Sequence, residues 1–256
     1  MYRNFLRRFQ KSLHKCSSDI EELRITDTIG SVTYLANDVF SLKSLKKLKA
    51  LDINSSKFKG TQILLGELPM LQEASFENVD QLFLSQGCKV KNLALTVLDL
   101  ESLKLHLPRD SSLKALSFKF KNDSLKNGIN KIITLIYDKI SCIRSIKLSF
   151  SGCKDLPDCP LVLQSLDNLE TIILEIYNYQ DLFPVLYFKD LPQLRELIIK
   201  RYAPLSGEMK LNLYGLPSLS QVLIDNETNR KLSSMQVTIN KTTIQTAIFI
   251  QTLARL

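Results

Sequence analysis

The segment Asp190-Leu-Pro-Gln-Leu-Arg-Glu-Leu-Ile-Ile199 carries a pattern, Leu-Pro-x-Leu-x-x-Leu-x-Ile, that returns along the chain. Its core recurs as Ile20–Ile25, Leu48–Ile53, Leu71–Phe76, Val90–Leu95, Leu113–Phe118, Ile143–Leu148, Leu169–Leu174, Leu194–Ile199 and Leu219–Ile224, with successive copies starting 19 to 30 residues apart. A degenerate last copy falls at Met235–Ile239. In each copy two apolar residues stand two apart, as Leu197 and Ile199 do, so on a strand both point to one side. An earlier apolar residue, here Leu194, anchors the incoming turn. No single copy can bury such a face alone, so neighbouring copies must stack and close a core between them.

Apolar residues at helical spacing lie between the strand candidates. They are Val32, Leu35, Val39, Leu42 and Leu45 in 32–47, and Ile132, Ile133, Leu135, Ile136 and Ile140 in 129–140. A third set, Leu182, Phe183, Leu186 and Phe188, lies in 179–189, with Pro184 suited to a first turn. These spacings predict helices on the side of the stack opposite the strands. At the start of the chain, Tyr2, Phe5, Leu6, Phe9, Leu13 and Cys16 share one face of a predicted helix and basic residues hold most of the other. Residues 242–256, with Ile244, Ala247, Ile248 and Leu253, read as a closing helix. The 256 residues contain no Pro/Gly/Ser-rich linker, and 8 Gly and 8 Pro are too few for an antiparallel barrel with many tight turns.

The series resembles the leucine-rich-repeat family over residues 20–240. The resemblance implies an α/β solenoid, a horseshoe with a parallel sheet on the concave face and helices on the convex face. Applied to this chain it gives one domain, 1–256: a capping helix in 1–19, nine to ten irregular repeats in 20–240 and a second capping helix in 241–256. One departure is clear. Where the family places Asn or Cys, three residues after the last strand apolar, this chain has Ser56, Val79, Leu98, Lys121, Ser151, Tyr177, Tyr202 and Glu227. Irregular repeats of this kind are similar to the repeat regions of fungal and other eukaryotic F-box proteins, which implies recognition of substrates for ubiquitination. The first 19 residues are too short to hold an F-box, so no adaptor-binding residue is carried over from that family.

The formal net charge of +8 is unevenly placed, because Arg3, Arg7, Arg8, Lys11 and Lys15 sit within the first 16 residues with no acid among them. A second cluster, Lys43, Lys46, Lys47 and Lys49 with Lys57 and Lys59 beyond, reads as a solvated face. The alternative is that the basic first helix and the Lys43–Lys49 cluster bind nucleic acid or an anionic membrane, with steep salt dependence. An Arg-rich, acid-poor N-terminal helix also leaves mitochondrial targeting open. Otherwise the five irregularly spaced cysteines, the lack of a signal peptide and the lack of an apolar run of about 18 residues point to an intracellular protein, cytoplasmic or nuclear.

No phosphate loop, nucleophile elbow, zinc-protease or kinase motif occurs, and neither His14 nor His106 stands in a catalytic motif. Cys153 and Cys159 flank Asp155 and Asp158, with Cys142 nearby, but the set is short of a four-ligand metal site. The expectation is a non-enzymatic protein without metal, cofactor or small-molecule substrate. What the repeat offers is a surface. The residues between the core pairs form a row, Asp52, Ser75, Ala94, Ser117, Lys147, Ile173, Ile198 and Leu223, whose last three members are large and apolar. Thr171, Glu196 and Gln221 flank them on one side and Glu175, Lys200 and Asp225 on the other. An apolar centre with a polar rim is the anatomy of a protein-binding patch. These nine residues are the predicted contact site for a protein partner.

Overall fold

The computed structural model describes residues 2–15, 19–26, 39–55, 58, 60–97, 103–108, 112–121, 142–151, 160–177, 185–202, 209–226, 235–239 and 249–253. They form two compact units, Met1–Leu116 and Ser117–Leu256. Each is a parallel β-solenoid built from strands of two sheets.

In the first unit, helix α1 (Tyr2–Lys15) is followed by eight strands. Strands β1 (Glu22–Thr26), β3 (Ala50–Asn54), β5 (Glu73–Glu77) and β7 (Asn92–Val97) lie side by side in one sheet. Strands β2 (Val39–Ser41), β4 (Gln62–Leu65), β6 (Gln81–Leu84) and β8 (Lys104–His106) form the other. The pairings are parallel, and each strand stacks on the equivalent strand of the next turn: Leu51 on Ala74, Ile53 on Phe76, Ile63 on Leu82. The inward residues of both sheets (Leu51, Ile53, Phe76 and Leu93 from one, Phe40, Ile63, Leu82 and Leu105 from the other) are almost wholly buried. The α1 face meets this stack at β2, where the Phe9 ring lies 6.1 Å from Phe40, Leu13 is buried, and Gln10 Nε2 donates to the Ser41 carbonyl at 3.3 Å.

The second unit repeats the plan with longer strands. One sheet has β9 (Ala115–Lys121, most of which belongs to this unit), β10 (Ser145–Ser151), β12 (Thr171–Ile176), β14 (Glu196–Arg201), β16 (Gln221–Asn226) and β18 (Phe249–Leu253) in that spatial order. The other has β11 (Leu161–Gln164), β13 (Val185–Lys189), β15 (Met209–Tyr214) and β17 (Met235–Ile239). Phe118, Phe120 and Phe150 stack within the core, and the inward residues Ile172, Leu174, Leu197, Ile199, Val222 and Ile224 are buried beside them along the sheet.

The turns explain the Leu-Pro-x-Leu signature. The second Leu donates its amide to the carbonyl of the first, three residues back, as Leu194 does to Leu191, Leu219 to Leu216 and Leu71 to Leu68. Both leucines of each pair are buried. Proline suits the second position of such a turn because its fixed φ is already correct and its missing N–H is not needed there. Just before the turn, Ser165, Asp190 and Gly215 occupy equivalent positions of successive repeats, and all three have positive φ (55°, 51° and 60°). Asp190 N–H donates to the Tyr214 carbonyl at 3.0 Å, tying one repeat to the next.

All nine full repeat copies supply strands of one kind of sheet, β1, β3, β5 and β7 in the first unit and β9, β10, β12, β14 and β16 in the second, and a parallel solenoid results. The expected helices do not follow. Residues 39–41 of the first helical candidate are strand β2, and Leu42, Leu45 and Leu48 are buried in turns after it. Residues 185–189 of the third are strand β13, whose Leu186 and Phe188 are buried two apart. The closing helix is replaced at 249–253 by β18, and the degenerate copy Met235–Ile239 joins the other sheet as β17. The remaining candidate, 129–140, and Pro184 lie outside the described residues. The physical reason is that apolar residues which fit a helical spacing, such as Leu186 and Phe188, also stand two apart and so reach one side of a strand. A short strand also buries an apolar pair and adds a ladder of hydrogen bonds with its neighbours. Among the described residues α1 is the single helix, and it is not long and apolar enough to cross a membrane.

Candidate functional site

The nine predicted contact residues fall on β12, β14 and β16, adjacent strands of the second unit. The register pairs Ile173 with Ile198 and Ile198 with Leu223, so the three apolar residues form one row across the sheet. Lys147 of β10 precedes them in that row, and Gln251 of β18 follows. Thr171, Glu196 and Gln221 align on one side, and Glu175, Lys200 and Asp225 on the other. Each strand alternates inward residues that are almost fully buried with outward ones, and Ile173, Ile198 and Leu223 are outward and half-buried. The corresponding row of the first unit is Arg24, Asp52, Ser75 and Ala94, small or polar throughout, with Arg24 and Asp52 paired at 3.3 Å.

Glu175 departs from the expected rim. It lies on the outward side yet is almost fully buried. Its carboxylate accepts from Lys147 Nζ at 2.8 Å, Ser149 Oγ at 2.8 Å and Tyr177 Oη at 3.2 Å. Burial alone would raise its pKa. The hydrogen bonds from Lys147 and Ser149, the Lys147 charge and the bond from Tyr177 outweigh that and hold it below the ordinary glutamate value. Tyr177 shifts the other way. Partial burial, its hydrogen bond with Tyr202 and the nearby Glu175 charge push its phenol well above the usual tyrosine range. The cluster is a charge-assisted network that fixes side chains on the sheet surface.

Tyr177 and Tyr202 stand out in the sequence only as departures from an Asn or Cys ladder. In the structure they form a ladder of their own. Their backbone amides continue the strand pairing, Tyr177 donating to the Phe150 carbonyl and Tyr202 to that of Ile176, both at 2.9 Å. Their rings stack at 4.1 Å with a 1° interplanar angle. The signal in the sequence is two tyrosines 25 residues apart, the local repeat length.

Three lysines of the first unit's basic cluster are engaged in ion pairs. Lys46 meets Glu67 at 3.6 Å, Lys47 meets Asp19 at 3.2 Å and Lys49 meets Glu21 at 2.7 Å, all with exposed side chains. His14 is exposed on α1, and His106 stacks on Phe83 at 4.1 Å. Cys153, Asp155, Asp158 and Cys159 lie outside the described residues, and no group of three metal-ligating side chains occurs among those described. Cys88 and Cys142 are free thiols, with pKa values raised by burial.

Searches against protein-family models, characterised proteins and solved structures match nothing to this chain.

Proposed function

We propose that this chain is a non-catalytic scaffold of the leucine-rich-repeat kind that binds a protein through the outer face of the β12–β14–β16 sheet. One observation carries the reading: Ile173, Ile198 and Leu223 stand in consecutive register on the side of the sheet that the core does not use. A repeat needs apolar residues only at the inward positions, so three large ones in a row outside need another cause. Desolvating that row against a partner supplies it, with Thr171, Glu196 and Gln221 and the Lys200–Asp225 pair of positions as rim. Within this class the irregular repeats favour substrate recognition for an F-box-type ubiquitin ligase in the cytoplasm or nucleus.

The test is affinity capture from native cell extract with wild type and Ile198→Asp, each checked for fold by circular dichroism. Wild type is expected to retain a protein partner at about 0.5 M salt as well as at about 0.1 M, where exposed charges are already screened beyond about 10 Å. Ile198→Asp is expected to reduce capture at least about tenfold, the scale of a central interface residue. Equal capture by the folded variant would overturn the proposal. Recovery of ubiquitin-ligase adaptors with the partner would support the narrower reading, and salt-sensitive recovery of RNA alone would refute both.

A further inference from the structure

Helix α1 brings together Arg3, Arg7, Arg8, Lys11 and Lys15 with no acid among its 14 residues. Its apolar side is already used inside the first unit. The Phe9 ring lies against Phe40, Leu13 is buried, and Gln10 is tied to the Ser41 carbonyl. Arg8, Lys11 and Lys15 follow one another at spacings of three and four, so they share the opposite side of the helix over about 10 Å. All three are exposed, as is His14 beside them. Among the described residues no acidic side chain pairs with any of them.

The lysines of the next turn differ. Lys46, Lys47 and Lys49 each meet a carboxylate, from Glu67, Asp19 and Glu21, which cancels much of their field at a distance. Lys43 stands two residues beyond the Ser41 that Gln10 engages; it is exposed, pairs with no acid among the described residues, and adds a charge close to the helix. Helix stability does not explain the α1 set. Arg3 in the first turn opposes the helix dipole, and the helix offers the other cations no acid three or four residues away.

We propose that α1 attaches the protein to an anionic phospholipid surface through the charges of Arg8, Lys11 and Lys15. A group of about four to eight Lys or Arg on an amphipathic helix suits such a surface, because a bilayer asks only for positive charge turned outward. A nucleic acid asks for more: single strands are held by rings on which bases stack, and duplexes are read by side chains that reach base edges. The exposed side chains of α1 among the described residues are Arg8, Lys11, Ser12, His14 and Lys15, with no phenyl, phenol or carboxamide group among them. Phe9 and Leu13 are committed to β2 and the core and do not enter the hydrocarbon. The attachment is therefore peripheral and governed by charge, unlike that of a helix which sinks its apolar face below the headgroups. It uses the first unit and leaves the row of Ile173, Ile198 and Leu223 to a protein partner.

Co-sedimentation of the full chain with phosphatidylcholine vesicles containing about 30% phosphatidylserine tests this. Wild type is expected to bind these vesicles at about 0.1 M salt, to ignore pure phosphatidylcholine, and to be released at about 0.5 M, where the screening length falls to about 4 Å. Each of Arg8→Gln, Lys11→Gln and Lys15→Gln should lower the partition coefficient about fivefold, and the triple variant about a hundredfold. Glutamine keeps the helix, which circular dichroism checks. A variant of equal net charge, Lys119→Gln, Lys189→Gln and Lys210→Gln in the second unit, should stay within about twofold of wild type, and Ile198→Asp should bind vesicles as wild type does. Failure of wild type to bind the phosphatidylserine vesicles would overturn the proposal, as would equal binding by the folded triple α1 variant. An equal loss in the second-unit variant would assign the effect to net charge and overturn it too. So would binding that survives about 0.5 M salt, which would mean that an apolar face enters the bilayer. Tighter binding to a DNA duplex than to the vesicles at the same salt, lost in the triple α1 variant, would overturn it in favour of nucleic acid.

Discussion

At the scale of single residues, Glu175 and Tyr177 set the pH behaviour of the candidate site. The folded pKa of Glu175 is depressed, so its contribution to stability is present above the unfolded glutamate value of about 4.3 and is lost as pH falls through the lower folded value. Glu175→Gln is expected to cost about 1–2 kcal/mol near neutral pH, since its buried carboxylate loses charge-assisted bonds while Lys147, 40% exposed, can turn to water. The same variant should show a flatter acid limb, with the difference from wild type shrinking between about pH 5 and about pH 3 in urea titrations. A difference that grows on acidification would show that the carboxylate is not stabilised in the fold. Tyr177 has a raised folded pKa, so its contribution is complete below the unfolded tyrosine value of about 10 and is lost as pH rises through the higher folded value. Tyr177 should therefore ionise late in an absorbance titration. Tyr177→Phe should remove that late step; if the step persists, another tyrosine carries it.

At the scale of elements, the turn and the second strand carry most of the fold's definition. Gly215 has φ +60°, and a Cβ there would stand 2.5 Å from Asp190 Oδ1 and 3.4 Å from the Asp190 amide nitrogen. Gly215→Ala is expected to cost about 1–2 kcal/mol, the penalty of a left-handed backbone for a residue with a Cβ, read from the urea midpoint at unchanged slope. Phe188 of β13 is fully buried, so Phe188→Ala should cost about 3–5 kcal/mol, whereas exposed Lys189→Ala should stay within about 0.5 kcal/mol. The nine strands that hold the repeat copies were legible in the sequence, because each carries Leu-x-x-Leu-x-Ile or a near equivalent and nine copies reinforce one another; β18 of the same sheet was not, its residues being expected in a closing helix. The register was legible for the same reason, and with it the alignment of Ile173, Ile198 and Leu223. The second strands, apart from β17 at the degenerate copy Met235–Ile239, were not. Leu186 and Phe188 are two apart, but Leu182 and Phe183 before them complete a helical spacing equally well, and a short apolar run does not distinguish the two. Nor was the role of Glu175 legible: nothing along the chain says that Lys147 and Ser149, the latter 26 residues earlier, converge on it. Only stacking of equivalent positions brings them there.

For the molecule as a whole, the topology makes stability local. In each unit every strand pairs only with its equivalents in neighbouring turns, so each turn is held by its own packing and by its two interfaces. A core lesion should then act through neighbours rather than uniformly. Leu197 on β14 is fully buried and lies between Ile172 of β12 and Val222 of β16 in the register. Leu197→Ala is expected to cost about 2–5 kcal/mol in the turns that touch it. Native-state hydrogen exchange provides the measurement, because it resolves opening free energies segment by segment. Amides of β12, β14 and β16 should lose protection most, those of β10 less, and those of β3 and β5 in the first unit least. The same lesion lies directly beneath the row of Ile173, Ile198 and Leu223, so partner capture should weaken in parallel with protection of β14, although no contact residue has changed. A matched lesion in the first unit, Leu51→Ala, should lower protection around β3 and leave capture intact. If Leu197→Ala instead reduces protection equally in every strand, folding is globally cooperative and the turns are not separate elements of stability. If Leu51→Ala weakens capture as much as Leu197→Ala does, the binding face is not confined to the sheet of β12, β14 and β16.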